Sequence, residues 1–175
     1  MKNHKLFALI CLLGICFASC KEESKTEWEN YYGYTNDDII GTYSFSNLSD
    51  AFDGVEGIGR HSCADAEITI RRYSSSAVEF SINCPNENFN RVLHGQPTLN
   101  NDDFMLHMAS DYIPSGDNKY RAYVVTGYVL KNGSQQVRIH GYAAKNSYHI
   151  VQGEGGGQVY VQDNGEYYYF DVIKD

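Results

Sequence analysis

From Ile39 onward the sequence alternates, and the alternation leaves little room for anything but strands. Ala66, Ile68 and Ile70 are separated by Glu67, Thr69 and Arg71, and Val78, Phe80 and Ile82 by Glu79, Ser81 and Asn83. Period two sends one set of side chains to a buried face and the other to water, whereas an amphipathic helix needs a period of about 3.6. The serines at 74–76 turn the chain between the two runs. Their apolar faces coincide only if paired positions have an even sum, which predicts a three-residue loop. Cys84 then falls opposite Ala64 or Ala66, next to Cys63, which needs a bulge or bend to reach it.

The same grammar runs to the C-terminus. Ile40 to Phe45 reads as the first strand and Phe89 to Leu99 as another, bent near Pro97. Phe104, Leu106 and Met108 line one face of the next, and residues 110–119 form a longer polar loop. Asn132-Gly133 is the preferred pair for a type I′ turn. It predicts a hairpin pairing Tyr128 with Val137, Thr126 with Ile139, Val125 with His140 and Tyr123 with Tyr142. Asn164-Gly165 predicts a second, pairing Val161 with Tyr168 and Tyr160 with Tyr169. Gly153-Glu154-Gly155-Gly156-Gly157 lacks the lysine and hydroxyl residue of a phosphate loop and reads as a loose hairpin connection. Ahead of the strands, Trp28, Tyr31, Tyr32 and Tyr34 suggest a short helix or coil packing its rings against one end, followed by turn or cap chemistry at Thr35-Asn36-Asp37-Asp38. The expected fold is all-β: an antiparallel up-and-down β-barrel of eight or nine strands with an N-terminal cap segment, since closure removes exposed edges. A β-sandwich is the competing architecture.

The N-terminus sets the address. Lys2 and Lys5 precede an apolar run from Leu6 to Phe17, shorter than the roughly 20 residues that span a bilayer. Phe17-Ala18-Ser19-Cys20 resembles the lipobox of bacterial lipoproteins. That resemblance implies that residues 1–19 are a signal peptide and that Cys20 is acylated as the first mature residue. Residues 20–38 are then tether and cap, and residues 39–175 the barrel domain. Lys21-Glu22-Glu23 resembles a short export tag that places some lipoproteins on the outer face of the outer membrane. With the lipobox, Gly41-Thr42-Tyr43 at the start of the first strand and the meander behind it, the chain resembles small bacterial lipocalin-like surface lipoproteins. The implied partners are the membrane, through the acylated N-terminus, and a small apolar or glycan ligand.

The net charge of −8 argues against nucleic acid as a partner. Export leaves Cys63 and Cys84 as candidates for one disulfide, closing a loop of about 20 residues for roughly 3 kcal/mol. No nucleophile elbow is present, Asp37-Asp38 and Asp102-Asp103 are adjacent pairs whose side chains diverge in a strand, and the histidines lack metal-ligand spacing. The expectation is a non-catalytic protein with no cofactor. Tyrosine is the unusual resource, with 15 in the chain. Tyr123, Tyr142, Tyr160, Tyr167 and Tyr169, with His140, lie opposite the apolar faces of their hairpins and are the candidate ligand-binding residues. Two functions follow. One is a surface-anchored protein binding a small apolar or glycan ligand. The other is a protein-interaction module, either an accessory subunit of an outer-membrane complex or an enzyme inhibitor.

Overall fold

The serine turn forms as its flanking pattern requires. In the computed structural model, which describes residues 27–46, 58–97 and 105–175, Glu67 pairs with Asn83 and Arg72 with Val78, and the Tyr73 N–H donates to the Ala77 carbonyl (3.0 Å) to leave a three-residue loop at 74–76. Cys20, Lys21-Glu22-Glu23 and Phe104 lie outside the described residues. Cys63 turns in just before Ala66 and bonds to Cys84, with their Cα atoms 5.5 Å apart.

Eleven strands, one short α-helix and one 3-10 turn (Pro85–Glu87) make up the described chain: β1 (Trp28–Asn30), α1 (Asn36–Ile39), β2 (Gly41–Phe45), β3 (Arg60–Ser62), β4 (Glu67–Arg72), β5 (Val78–Cys84), β6 (Phe89–Gly95), β7 (Met105–Ala109), β8 (Ile113–Gly116), β9 (Lys119–Asn132), β10 (Val137–Gln152) and β11 (Gln158–Lys174). Strands β2, β4, β5 and β6 form one antiparallel run and β7, β9, β10 and β11 another, and β11 pairs antiparallel with β2. The order around the sheet is therefore the order along the chain, as in an up-and-down meander. Met108 of β7 comes within 3.8 Å of where a Cβ on Gly95 of β6 would stand, yet the two strands do not pair. The sheet is consequently rolled but not closed into a barrel, and a β-sandwich description also fits. The short β1 and β8 add to β9, and β3 runs parallel to the middle of β11.

The inward face is filled. Tyr43, Ile68, Ile70, Phe80, Ile82, Leu106, Val125, Val129, Ile139 and Phe170 pack into one cluster, each no more than 2% exposed. Atoms this covered touch no void of water size, so the described interior is a core rather than a pocket.

The N-terminal segment does cap one end, though as a strand followed by a helix. β1 adds to the end of β9, and Tyr34 is buried with its hydroxyl donating to the Met105 carbonyl (3.0 Å). Thr35 donates its N–H and hydroxyl to the Asp38 carboxylate (both 2.7 Å), which fixes the first turn of α1. Ile39 is then fully buried, and Tyr43 donates to its carbonyl (2.6 Å).

Both Asn-Gly predictions are corrected. The β9–β10 hairpin forms, but Val129 pairs with Ile139 and Tyr128 with His140, three positions away from the expected register. Asn132 causes the shift: its side-chain oxygen accepts from the Ser134 and Gln136 N–H groups (3.0 Å each), and Gln135 takes φ +66°. That is a three-residue loop ending in a left-handed residue, in place of the two-residue turn. At Asn164-Gly165 no turn exists. β11 runs straight through, with Asn164 facing Ser147 and Gly165 facing Asn146. A Cβ on Gly165 would stand 2.6 Å from the Asn146 side-chain oxygen, so any larger residue there would displace that amide. The true hairpin is the glycine stretch, where Gly153 N–H donates to the Gly157 carbonyl (2.7 Å).

Candidate functional site

Register decides which tyrosines face outward. Val125, Val129, Ile139 and Ala143 face the core, so even positions of β9 and β10 face out. On β11, Phe170 and Val172 face in and Tyr167, Tyr169 and Asp171 face out. An irregularity opposite Ser147/Tyr148 leaves Asp163 unpaired and switches the parity, so Tyr160 and Gln162 also face out. The outward face of β9–β10–β11 is thus a single tyrosine-rich surface along three strands of 14, 16 and 17 residues.

Its rings fall into two groups. In the lower one Tyr142 meets Tyr167 edge-on (centroids 5.5 Å) and Tyr169 at a tilt (5.6 Å). The upper group joins Tyr112, Tyr120, Tyr148 and Tyr160. Tyr112 stacks on Tyr160 (4.0 Å, planes 8° apart) and meets Tyr148 edge-on (5.0 Å), and Tyr120 meets Tyr160 edge-on (5.1 Å). Offset and edge contacts of this kind contribute about 0.5–1.5 kcal/mol each beyond burial. Yet Tyr112 and Tyr160 stay 43% and 37% exposed. Between the groups sit Ala122, Ala144 and Asn146, buried although they face outward.

Below the lower group a buried charge holds the face. Arg138 donates its Nε to Asp171 Oδ1 (2.7 Å) and a terminal nitrogen to Oδ2, while its guanidinium lies 5.6 Å from the Trp28 ring. Asp171 is fully buried. His140 Nδ1 stands 3.9 Å from the same carboxylate without a hydrogen bond. Burial pushes this imidazole below its ordinary range, Asp171 pulls it back up, and Arg138 adds to the depression.

Of the candidates from sequence, His140, Tyr142, Tyr167 and Tyr169 lie together on this face, with Tyr160 in the other group. Tyr123 is corrected. The register change puts it on the inward face, packed against the core with the Arg91 guanidinium 4.6 Å over its ring. Beside it, Lys145 bridges Glu166 (2.8 Å), which also accepts from the Tyr168 hydroxyl (2.8 Å). The lysine hydrogen bond, then the tyrosine one, holds the Glu166 carboxyl below its usual range against the opposing effect of burial.

Tyr112, Tyr120 and Tyr148 escaped the sequence reading. Tyr148 shares the parity of Tyr142 and Tyr120 that of Tyr128, so their face is legible once β9 and β10 are taken as single long strands. Tyr112, inside an irregular polar stretch, leaves no such signal. No protein-family model, curated protein or solved structure matches the chain.

Proposed function

We propose that this protein is an acylated lipoprotein displayed on the outer membrane, and that its domain binds a glycan, without catalysis, through the outward face of β9–β11. One observation carries the binding part: Tyr112, Tyr120, Tyr148 and Tyr160 are gathered into a single group where they contribute nothing to the core, with Tyr112 and Tyr160 exposed to water. A tyrosine ring offers a broad apolar face with a polar tip, which suits the C–H faces and hydroxyls of a sugar ring. Gln162 and Asn146, hydrogen-bonded to each other at 3.3 Å, supply amides beside the rings. The filled interior favours an outside surface over a lipocalin-like pocket for a small apolar ligand. The lipid anchor rests on the sequence around Cys20.

A second reading, a protein-interaction module, is favoured by a different observation. Among the described residues no strand pairs the far edge of β11 between Gln158 and Asp163, and Val159 and Val161 are exposed there. Such an edge can accept a strand from a partner.

The test is a glycan array probed with the full chain purified in detergent from its native membrane, beside Tyr112→Ala/Tyr160→Ala. The glycan reading expects retention on saccharides that falls at least tenfold in the variant. Equal retention by both proteins, or none by either, would refute it. Mass spectrometry of the N-terminal peptide from the same sample should find acyl chains on Cys20.

A further inference from the structure

The opposite side of the same three strands carries a different chemistry. Past the core, successive cross-strand rows on the inward-parity face read Tyr123–Lys145–Glu166, then Arg121–Ser147–Asn164, then Lys119–His149–Val161. Beside the Asp163 bulge of β11 lies a cleft of 370 Å³ lined by Ser115, Lys119, Arg121, Ser147, Asp163 and Asn164. A volume of this size holds one or two sugar rings.

The charges in and around this cleft do not cancel. Asp163 lies 2.5 Å from His149 Nδ1, and Lys145 is paired with Glu166. Lys119 and Arg121 have no carboxylate partner among the described residues. They are two positions apart on one strand, so both side chains reach the same face. Two cations against the one carboxylate of Asp163 leave the cleft lining one positive charge in excess, unexpected on a chain with net charge −8. A positive cleft on an otherwise acidic surface selects for a local negative charge, and a planar guanidinium beside hydroxyl and amide groups matches a carboxylate or sulfate oxygen pair.

We propose that this cleft is the subsite for the anionic unit of an acidic oligosaccharide. Arg121 and Lys119 bind its carboxylate or sulfate, and Ser115, Ser147 and Asn164 meet the hydroxyls of the same ring. This deepens the glycan reading above and rests on it.

The experiment is titration calorimetry of the full chain in detergent with three hexasaccharides: oligogalacturonate, chondroitin sulfate and a neutral xylo-oligosaccharide. At least one acidic ligand should bind tenfold or more tightly than the neutral one, and raising salt from 50 to 200 mM should weaken the acidic ligand alone. Comparing uronate with sulfate tells which anion the cleft prefers. Arg121→Gln/Lys119→Gln, both exposed positions, should narrow the acidic-to-neutral ratio at least fivefold. Equal binding of acidic and neutral ligands, or acidic binding indifferent to the double variant, overturns the subsite and leaves the glycan reading standing. Binding of none of the three overturns both.

Discussion

Replacing Asp171 with asparagine measures how firmly the tyrosine face is held from beneath. The Arg138 fork grips both oxygens of this carboxylate, and the side chains are only 12% and 0% exposed. Water does little screening there. Leaving one member of such a pair unmatched costs about 3–5 kcal/mol, against a typical total stability of roughly 5–15 kcal/mol. Asparagine keeps the shape and one acceptor, so the expected loss is about 3 kcal/mol. With a urea slope of about 2 kcal/mol/M, the unfolding midpoint drops by about 1.5 M. Trp28 is the chain's one tryptophan and lies against Arg138, so its fluorescence reports the transition at the site itself. Arg138→Met/Asp171→Leu removes both charges together and should lie within about 1.5 kcal/mol of the parent, because no charge is left stranded. The reasoning fails if Asp171→Asn costs less than about 1 kcal/mol, or if the apolar double variant is as unstable as the single one.

Gly141→Ala should destabilise by about 1–3 kcal/mol or more, since its Cβ would stand 2.1 Å from the Thr126 carbonyl oxygen on the neighbouring strand. Gly133→Ala, in open space, is the control and should stay within about 0.5 kcal/mol. Equal urea midpoints for these two variants would contradict the strand spacing described. Reducing the Cys63–Cys84 bond should cost roughly 3 kcal/mol for its separation of 21 residues, and alkylation of the unfolded, unreduced chain should leave both cysteines unlabelled. His140 gives a pH dependence with a definite sign. Its folded value lies below the ordinary 6.5, so the unfolded chain takes up the proton first. The stability it contributes is complete above about 6.5 and is lost as pH falls through the folded value. The urea midpoint should therefore fall more between pH 7.5 and pH 5 in the parent than in His140→Gln, and parallel curves would count against the assignment.

The serine hairpin, its register and the cysteine pairing were legible because alternation and loop length constrain one another. A one-position slip would turn Ile68 and Phe80 outward. The Asn-Gly pairs misled because a dipeptide specifies a turn only when nothing competes for its backbone. At Asn132 a side-chain amide satisfies the backbone differently, and at Asn164-Gly165 the backbone is held in the β10 ladder opposite Ser147 and Asn146. That error propagated, since a change of parity in β9 moved Tyr123 from the outer face to the inner one. The Arg138–Asp171 pair was not legible because it joins residues 33 apart in sequence across a strand pairing no local pattern announces. The upper ring group depends on Tyr112 crossing to β11, which is likewise a tertiary fact.

The attachment of β1 has a consequence for posture. Trp28 lies beside Asn132 at one end of β9, while Tyr120 stands near the other. At about 3.3 Å per residue, the distance between them is roughly 40 Å. A chain fastened to lipid at Cys20 would thus approach the domain from its base and hold the aromatic tip away from the bilayer, like a hand on a raised forearm. Whatever the tip grasps would then be met clear of the membrane's own headgroups.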